Sequence, residues 1–389
     1  VSFSYEKMAF SKYIADFEGI RPYTDEEMTP VLRRISRNDW LVSGIRSMMF
    51  PRCPEFLESF VNHLVQFDLW RRLRRIKTID QFQRKIIIDQ VMEYIVKKTI
   101  DSVTISGDEN LDRDTPYLYI SNHRDIVLDS ALLNYVMVRK DKRIAEIAFG
   151  DNLLMNEFVS DLIRINRSFI VRRQLQLREK AKAAVTLSRY ISYTIEQGNS
   201  VWLAQREGRA KDGNDRTNPT VLKMLYLGSR RERISFNEFV ERSNIVPVAV
   251  SYEFDPCDVL KARELHRTEK NGEYRKRKDE DLLSMYRGLS GWKGRVHVAF
   301  GNRIQGDFSG ADDLASEIDS QIHNCYHLWP SNYIARDELT GKKHRDYSYT
   351  VEEVKRFMQR FRRESMEVKA LALQIYANAV LNKFGNAPA

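Results

Sequence analysis

A histidine with carboxylates close behind it, placed where an apolar strand gives way to a helix, is suited to taking a proton from a hydroxyl. The segment Ser121-Asn122-His123-Arg124-Asp125-Ile126-Val127-Leu128-Asp129 has that make-up and follows a strand predicted over Tyr117 to Ile120. In open α/β domains, ligands bind at the carboxyl edge of the sheet. A histidine there can project into a cleft, where a nearby carboxylate holds its ring in the proton-accepting tautomer. Asp125 suits the N-cap of a helix predicted over Ile126 to Arg139. Three further segments arrive in order near later strands. Asn166-Arg167-Ser168-Phe169-Ile170-Val171-Arg172-Arg173 sets arginines around an apolar strand, giving forked donors that match a phosphate. Gln205-Arg206-Glu207-Gly208-Arg209-Ala210-Lys211-Asp212-Gly213 joins cations to flexible glycines, again a phosphate-binding chemistry. Val246-Pro247-Val248-Ala249-Val250 is an apolar strand opened by a proline.

Together these four segments resemble the motifs of the glycerolipid acyltransferase family, which includes the glycerol-3-phosphate and 1-acylglycerol-3-phosphate acyltransferases. The resemblance runs from about Pro116 to Ser251. The family's first motif is Asn-His, four residues, then Asp, and it implies His123 as general base with an aspartate partner. Leu128 stands where that aspartate should be, Asp129 comes one residue later, and Asp125 three residues earlier. A shift of one position turns a helical side chain by about 100°. Asp129 can serve only if the loop after His123 carries an extra residue or a bulge. Asp129 is preferred over Asp125, the other candidate, because capping already accounts for Asp125.

The second motif, Gly-x-x-Phe-Ile-x-Arg, is matched at Phe169, Ile170 and Arg172, with Asn166 replacing the glycine. The third, Glu-Gly followed by Arg, is matched by Glu207, Gly208 and Arg209, and the fourth by Pro247. The resemblance implies direct transfer of a fatty acyl group from acyl carrier protein or coenzyme A to a hydroxyl of glycerol 3-phosphate, 1-acylglycerol 3-phosphate or a related lipid. No acyl-enzyme, cofactor or metal is expected, since a thioester is already activated. Arg172 and Arg209, with Arg167 and Lys211, would hold the acceptor phosphate. Glu207 would fix those cations or a glycerol hydroxyl, and Asn122 and Gly208 complete the expected substrate contacts. The competing expectation is an inactive membrane-surface lipid-binding protein on a degenerate acyltransferase fold.

The elements that must position these residues are predicted as seven strands: Ser102 to Ser106, Tyr117 to Ile120, Ile144 to Phe149, Ser168 to Val171, Ser200 to Ala204, Ile245 to Ser251 and Arg295 to Phe300. Helix-like stretches separate most of them, which points to an α/β fold with a mostly parallel central sheet flanked by helices. Helical periodicity from Tyr5 to about Thr99, and again from Ala311 onward, adds helical N-terminal and C-terminal regions. The expected division is 1–100, 101–310 and 311–389. Lys261 to Asp281, dense in both charge signs, is expected to be a solvent-exposed excursion without chemistry.

Composition agrees with a globular protein: 389 residues, 42% hydrophobic and 30% charged. The net charge of +9 favours anionic partners. Two runs, Arg71 to Lys77 beside Trp70, Leu73 and Ile76, and Lys355 to Arg363 with Phe357, Met358 and Phe361, pair cations with apolar side chains as interfacial membrane helices do. An anionic membrane surface is therefore an expected partner. Nucleic acid is not, since the basic runs lack regularly interleaved aromatics. The longest nearly apolar stretch, Ile126 to Val138, is too short for a bilayer span, and the opening residues lack a secretory pattern, so a peripheral protein on the cytoplasmic face is expected. Cys53, Cys257 and Cys325 are few and far apart, which suits free thiols. His323, Cys325 and His327 have no second ligand pair, and metal binding is not expected there. Neither a Gly-x-Ser-x-Gly elbow nor a phosphate-binding glycine loop of the nucleotide type is present.

Overall fold

The computed structural model describes residues 16–154, 156–173, 175–274, 277, 279–344 and 347–385. The first part of the helical region expected from Tyr5 lies outside them. All seven strands form: β1 (Ser102–Ser106), β2 (Leu118–Ser121), β3 (Glu146–Gly150), β4 (Ser168–Val171), β5 (Val201–Ala204), β6 (Ile245–Tyr252) and β7 (Arg295–Phe300). The fold is α/β with a mostly parallel sheet and flanking helices. The chain divides into two compact units, Val1–Val91 with Glu146–Tyr190, and Met92–Ala145 with Ile191–Ala389.

In the first unit β3 and β4 run parallel, with Ile147 opposite Ser168 and Gly150 opposite Val171. Helices Met28–Ser36, Asp39–Met49 and Glu55–Leu73 belong to the same unit. Its core gathers Met28, Val31, Leu32, Ile35, Leu73, Ile76, Ile79, Phe82 and Ile165. Buried Asp161 takes the Arg34 fork at 2.7 and 2.8 Å and the Tyr23 hydroxyl at 2.7 Å, which satisfies its charge. The run Arg71 to Lys77 does not present Leu73 and Ile76 to a membrane as expected. Leu73 and Ile76 are core residues, while Arg71 and Arg72 pair with Asp68 on their own helix. The exposed apolar side chains lie earlier in that helix, at Phe56, Phe60, Leu64 and Phe67.

The second unit holds five strands in the order β1, β7, β6, β2, β5. β2 runs parallel to both β5 and β6, β1 runs parallel to β7, and the β6–β7 pair is antiparallel. Every residue of β2 and β6 is buried, the mark of strands covered on both faces. The helix Met366–Phe384 and its neighbours form a second core around Phe254, Ala262, Ile334, Phe357, Phe361, Leu373 and Tyr376.

Two expectations fail in this unit. Phe357 and Phe361 are each 1% exposed, so the apolar members of the Lys355 to Arg363 run fill a core and offer nothing to a membrane. The charged stretch after Lys261 is no bare excursion either. It forms helix Asp258–Asn271, and Lys261 and Ala262 are buried, because a helix can sink one face while its other faces carry the charges.

Candidate active site

Because β2 and β5 are parallel with Ser121 opposite Ala204, the loops after them leave the same edge of the sheet. The Gln205 amide donates to the Ser121 carbonyl at 2.8 Å, and the Ala210 amide to the His123 carbonyl at 2.8 Å. The loop carrying Glu207, Gly208 and Arg209 is thus tied to the one carrying His123. Asn122 anchors the turn out of β2: its side chain exchanges hydrogen bonds with both backbone groups of Val250 and reaches Asp215. It is fully buried, and with its amide spent this way Asn122 supports the loop and does not face a substrate, a correction to its expected role.

The helix after the loop begins at Leu128 and not at Ile126. Residues 124–127 therefore remain loop, which supplies the extra residue that the displaced aspartate requires. Asp129, in the first turn, faces back under the loop and meets Nδ1 of His123 at 2.9 Å through Oδ2. The same oxygen accepts the amides of Arg124 at 2.7 Å and Asp125 at 2.9 Å, while Oδ1 accepts the Tyr252 hydroxyl at 2.8 Å. A carboxylate with so many donors is fixed in place. The His123 side chain is 14% exposed and that of Asp129 1%, so the ring reaches solvent while its partner does not. The Trp202 ring stands edge-on to the imidazole at 5.9 Å between centroids.

Asp125 does something else. Its Oδ1 accepts the amides of Val127 and Leu128, each at 2.9 Å, and so caps the helix. Burial, and after it the charge on Asp129, raises its carboxyl above the ordinary carboxylate range. Its Oδ2 lies against Gly288, in helix Glu280–Ser290, where an added Cβ would come within 2.2 Å.

Arg124 braces the loop from behind. Its guanidinium reaches Asp215 at 2.7 and 3.2 Å, the Gly213 carbonyl at 2.9 Å and the Ile375 carbonyl at 3.4 Å. Gly213 has φ 76°, and its added Cβ would meet the Ile375 carbonyl oxygen at 1.9 Å, so this turn requires glycine.

Of the expected phosphate ligands, Arg209 is partly exposed with one guanidinium nitrogen 3.3 Å from the Ser284 hydroxyl. Glu207 is exposed at the loop, and Gly208 has φ 73°, in the left-handed region. Lys211 is engaged in an ion pair with Glu264. Arg167 and Arg172 belong to the first unit. There Arg167 has φ 51° and its carbonyl accepts the Ile147 amide at 3.0 Å, while the Arg172 guanidinium lies against Gly19.

Sequence reasoning missed Tyr252, Arg124 with Asp215, Lys261 and Ser284. Only Tyr252 had a legible signal, as it closes β6 one residue past the predicted strand and at the same edge as His123. Among the described residues no group of three or more His, Cys, Asp or Glu is placed to hold a metal ion. Within the same residues no helix is long and apolar enough to cross a membrane.

Comparison with known proteins bears on this geometry. Residues 102–251 match the family model described as Acyltransferase. A comparison with curated proteins gives no match. Among solved structures, the 1-acyl-sn-glycerophosphate (LPA) acyltransferase PlsC from Thermotoga maritima is similar at 12% identity and a TM-score of 0.40, covering 77% of this chain and 94% of that one. The family match spans the His123 loop, the Arg172 strand, the Glu207 loop and β6, so all four segments singled out in the sequence fall within the part of the chain that is similar to the Acyltransferase model.

Proposed function

We propose that the protein is an O-acyltransferase that moves a fatty acyl group from an acyl thioester, carried by acyl carrier protein or coenzyme A, to a hydroxyl of glycerol 3-phosphate, 1-acylglycerol 3-phosphate or a related lipid acceptor in phospholipid synthesis. His123 takes the proton of the acceptor hydroxyl, the oxygen attacks the thioester carbonyl, and the thiol leaves with a proton returned from the imidazolium. The observation that carries this reading is the His123–Asp129 contact at 2.9 Å, with Nδ1 engaged by a buried carboxylate and the His123 side chain still partly open to solvent. It also removes the motive for an inactive fold, since the aspartate shifted in sequence reaches the imidazole. Arg209, on the loop whose Ala210 amide bonds the His123 carbonyl, is proposed to hold the acceptor phosphate, with Arg167 and Arg172 as further candidates and Lys211 available if it leaves Glu264. No cofactor or metal enters the proposed reaction. The proposed catalytic module is 101–310, with the regions 1–100 and 311–389 before and after it in the sequence.

We also place the protein peripherally at the cytoplasmic face of a membrane, where its lipid acceptor would reside. The support is the helix Glu55–Leu73, on which Phe56, Phe60, Leu64 and Phe67 are 83%, 62%, 52% and 67% exposed. At helical spacing these four fall within about 80° of arc, and exposed Arg74, Arg75 and Lys77 follow directly. The three free cysteines fit a reducing compartment.

The deciding experiment incubates purified protein with labelled acyl thioester and a panel of glycerol phosphate, lysophospholipid and amino-acid-containing acceptors, then identifies the lipid formed. His123→Ala should lower the rate by about 10² to 10⁴. Transfer within about tenfold of wild type in that variant would sink the assignment of the base.

A further inference from the structure

We infer that Lys261 is a positioning residue for the His123–Asp129 dyad, acting through the peptide group between Arg124 and Asp125. The inference rests on His123 being the base. Lys261 lies outside the family-matched residues 102–251, in a stretch whose sequence offers no chemistry. Yet it is 1% exposed, on a helix whose other lysine, Lys270, stays at the surface. Burying an ammonium is unfavourable unless it is paired with an opposite charge and hydrogen-bonded. Two acceptors hold it: the carboxylate of Asp255, and the carbonyl oxygen of Arg124 at 2.7 Å.

The second acceptor connects Lys261 to the site. The Arg124 carbonyl and the Asp125 N–H are opposite ends of one planar amide. That N–H donates to Oδ2 of Asp129 at 2.9 Å, and the same oxygen receives the His123 ring at 2.9 Å. An ammonium on the carbonyl end therefore fixes the rotation of the peptide plane. It also draws electron density toward oxygen, which makes the N–H a stronger donor to the carboxylate. Rotation of this amide would withdraw one donor from Asp129 and tilt the loop that presents the imidazole. Asp255 keeps the ammonium in place and has its own Oδ1 held by the Cys257 amide at 2.8 Å. A clamp made only to anchor helix Asp258–Asn271 could bond any carbonyl. This one bonds the peptide that grips the dyad.

The test uses the full chain and three readouts: kcat and KM for acyl transfer, thermal unfolding, and the low-field proton resonance of the His123 Nδ1–H, assigned by its loss in His123→Ala. Lys261→Met alone removes the ammonium paired with the buried Asp255 carboxylate, so it is made together with Asp255→Asn. Lys261→Arg, which retains the charge but moves the donor off the carbonyl, is the second variant. The expected result is a kcat lower by about tenfold or more in both variants, KM within about twofold, and a weakened or shifted resonance in a folded protein. The exposed Lys270→Gln on the same helix should move none of these. If either folded variant keeps kcat within about twofold and the resonance unchanged, the inference is wrong and Lys261 only anchors its helix. Should the wild type prove inactive on every acceptor, the proposed function fails, while the resonance still decides whether Lys261 holds the dyad.

Discussion

The helices Glu55–Leu73 and Met366–Phe384 are both 19 residues long and treat their apolar side chains in opposite ways. The second buries Val368, Ala372, Leu373, Ile375, Tyr376, Ala377, Ala379 and Val380, and it is apolar on most of its circumference. It supports the site loops as well: the Ile375 carbonyl takes Arg124, the Tyr376 carbonyl takes Asn332, and the Asn378 side-chain amide donates to the Asp212 carbonyl. The first helix buries only Val65 and Leu73 and leaves an aromatic stripe to solvent. Apolar content alone does not separate the two. What separates them is whether apolar residues surround the helix or line one side of it, and whether polar groups elsewhere in the chain need its carbonyls.

This contrast predicts that changes in the site and its supporting helix alter chemistry or stability, while changes on the exposed stripe alter attachment only. The largest effect should come from Asp129→Asn. Tyr252 can turn its hydroxyl to accept from the new amide, so the loop should survive, but the charge that stabilises the imidazolium is gone. We expect kcat to fall by about 10² or more with little change in thermal unfolding. A variant that retains most of its activity would remove Asp129 from the mechanism.

Tyr376→Phe tests the supporting helix. The hydroxyl donates to Asp258 at 2.7 Å and accepts the Asp255 amide at 2.8 Å, and both groups are buried. Its loss should cost about 1.5 to 3 kcal/mol in denaturant unfolding, the range for a buried hydrogen bond to a charged group. A cost near zero would mean that Arg360, already on Asp258 at 2.7 Å, suffices alone.

On the exposed stripe, Phe60→Ser should leave both stability and transfer to a soluble acceptor unchanged. It should weaken binding to anionic vesicles by up to about 1.5 to 3 kcal/mol, the value of burying a phenylalanine. Arg75→Gln should weaken the same binding by about 1 kcal/mol at low salt and by less at high salt. If Phe60→Ser lowers the unfolding temperature as Tyr376→Phe does, the stripe is covered by protein and the comparison collapses.

The local signals in the sequence were sufficient for the strands. β1, β4 and β7 form over the predicted residues, and the others differ by one or two positions at their ends, because β-branched and apolar runs bounded by turn residues specify extended backbone within a few residues. The position of His123 at the end of β2 followed from the same reasoning. Which apolar side chains are buried was not local. Leu73, Ile76, Phe357 and Phe361 have the pattern of interfacial helices, and only the packing around them shows that they are core.

The partner of His123 was also beyond sequence alone. Spacing left Asp125 and Asp129 open, and a helix starting at Ile126 would have turned Asp129 differently. Starting the helix at Leu128 made the choice, and the loop in front of it is held by groups distant in the chain. Arg124 bonds Asp215, 91 residues away, and Ile375, 251 away, and its carbonyl takes Lys261, 137 away. A residue pattern determines that a histidine and two carboxylates lie near one strand end. Only bonds formed across the folded chain fix the loop path closely enough to decide which carboxylate meets the imidazole, since a shift of one residue along a helix rotates a side chain by about 100°.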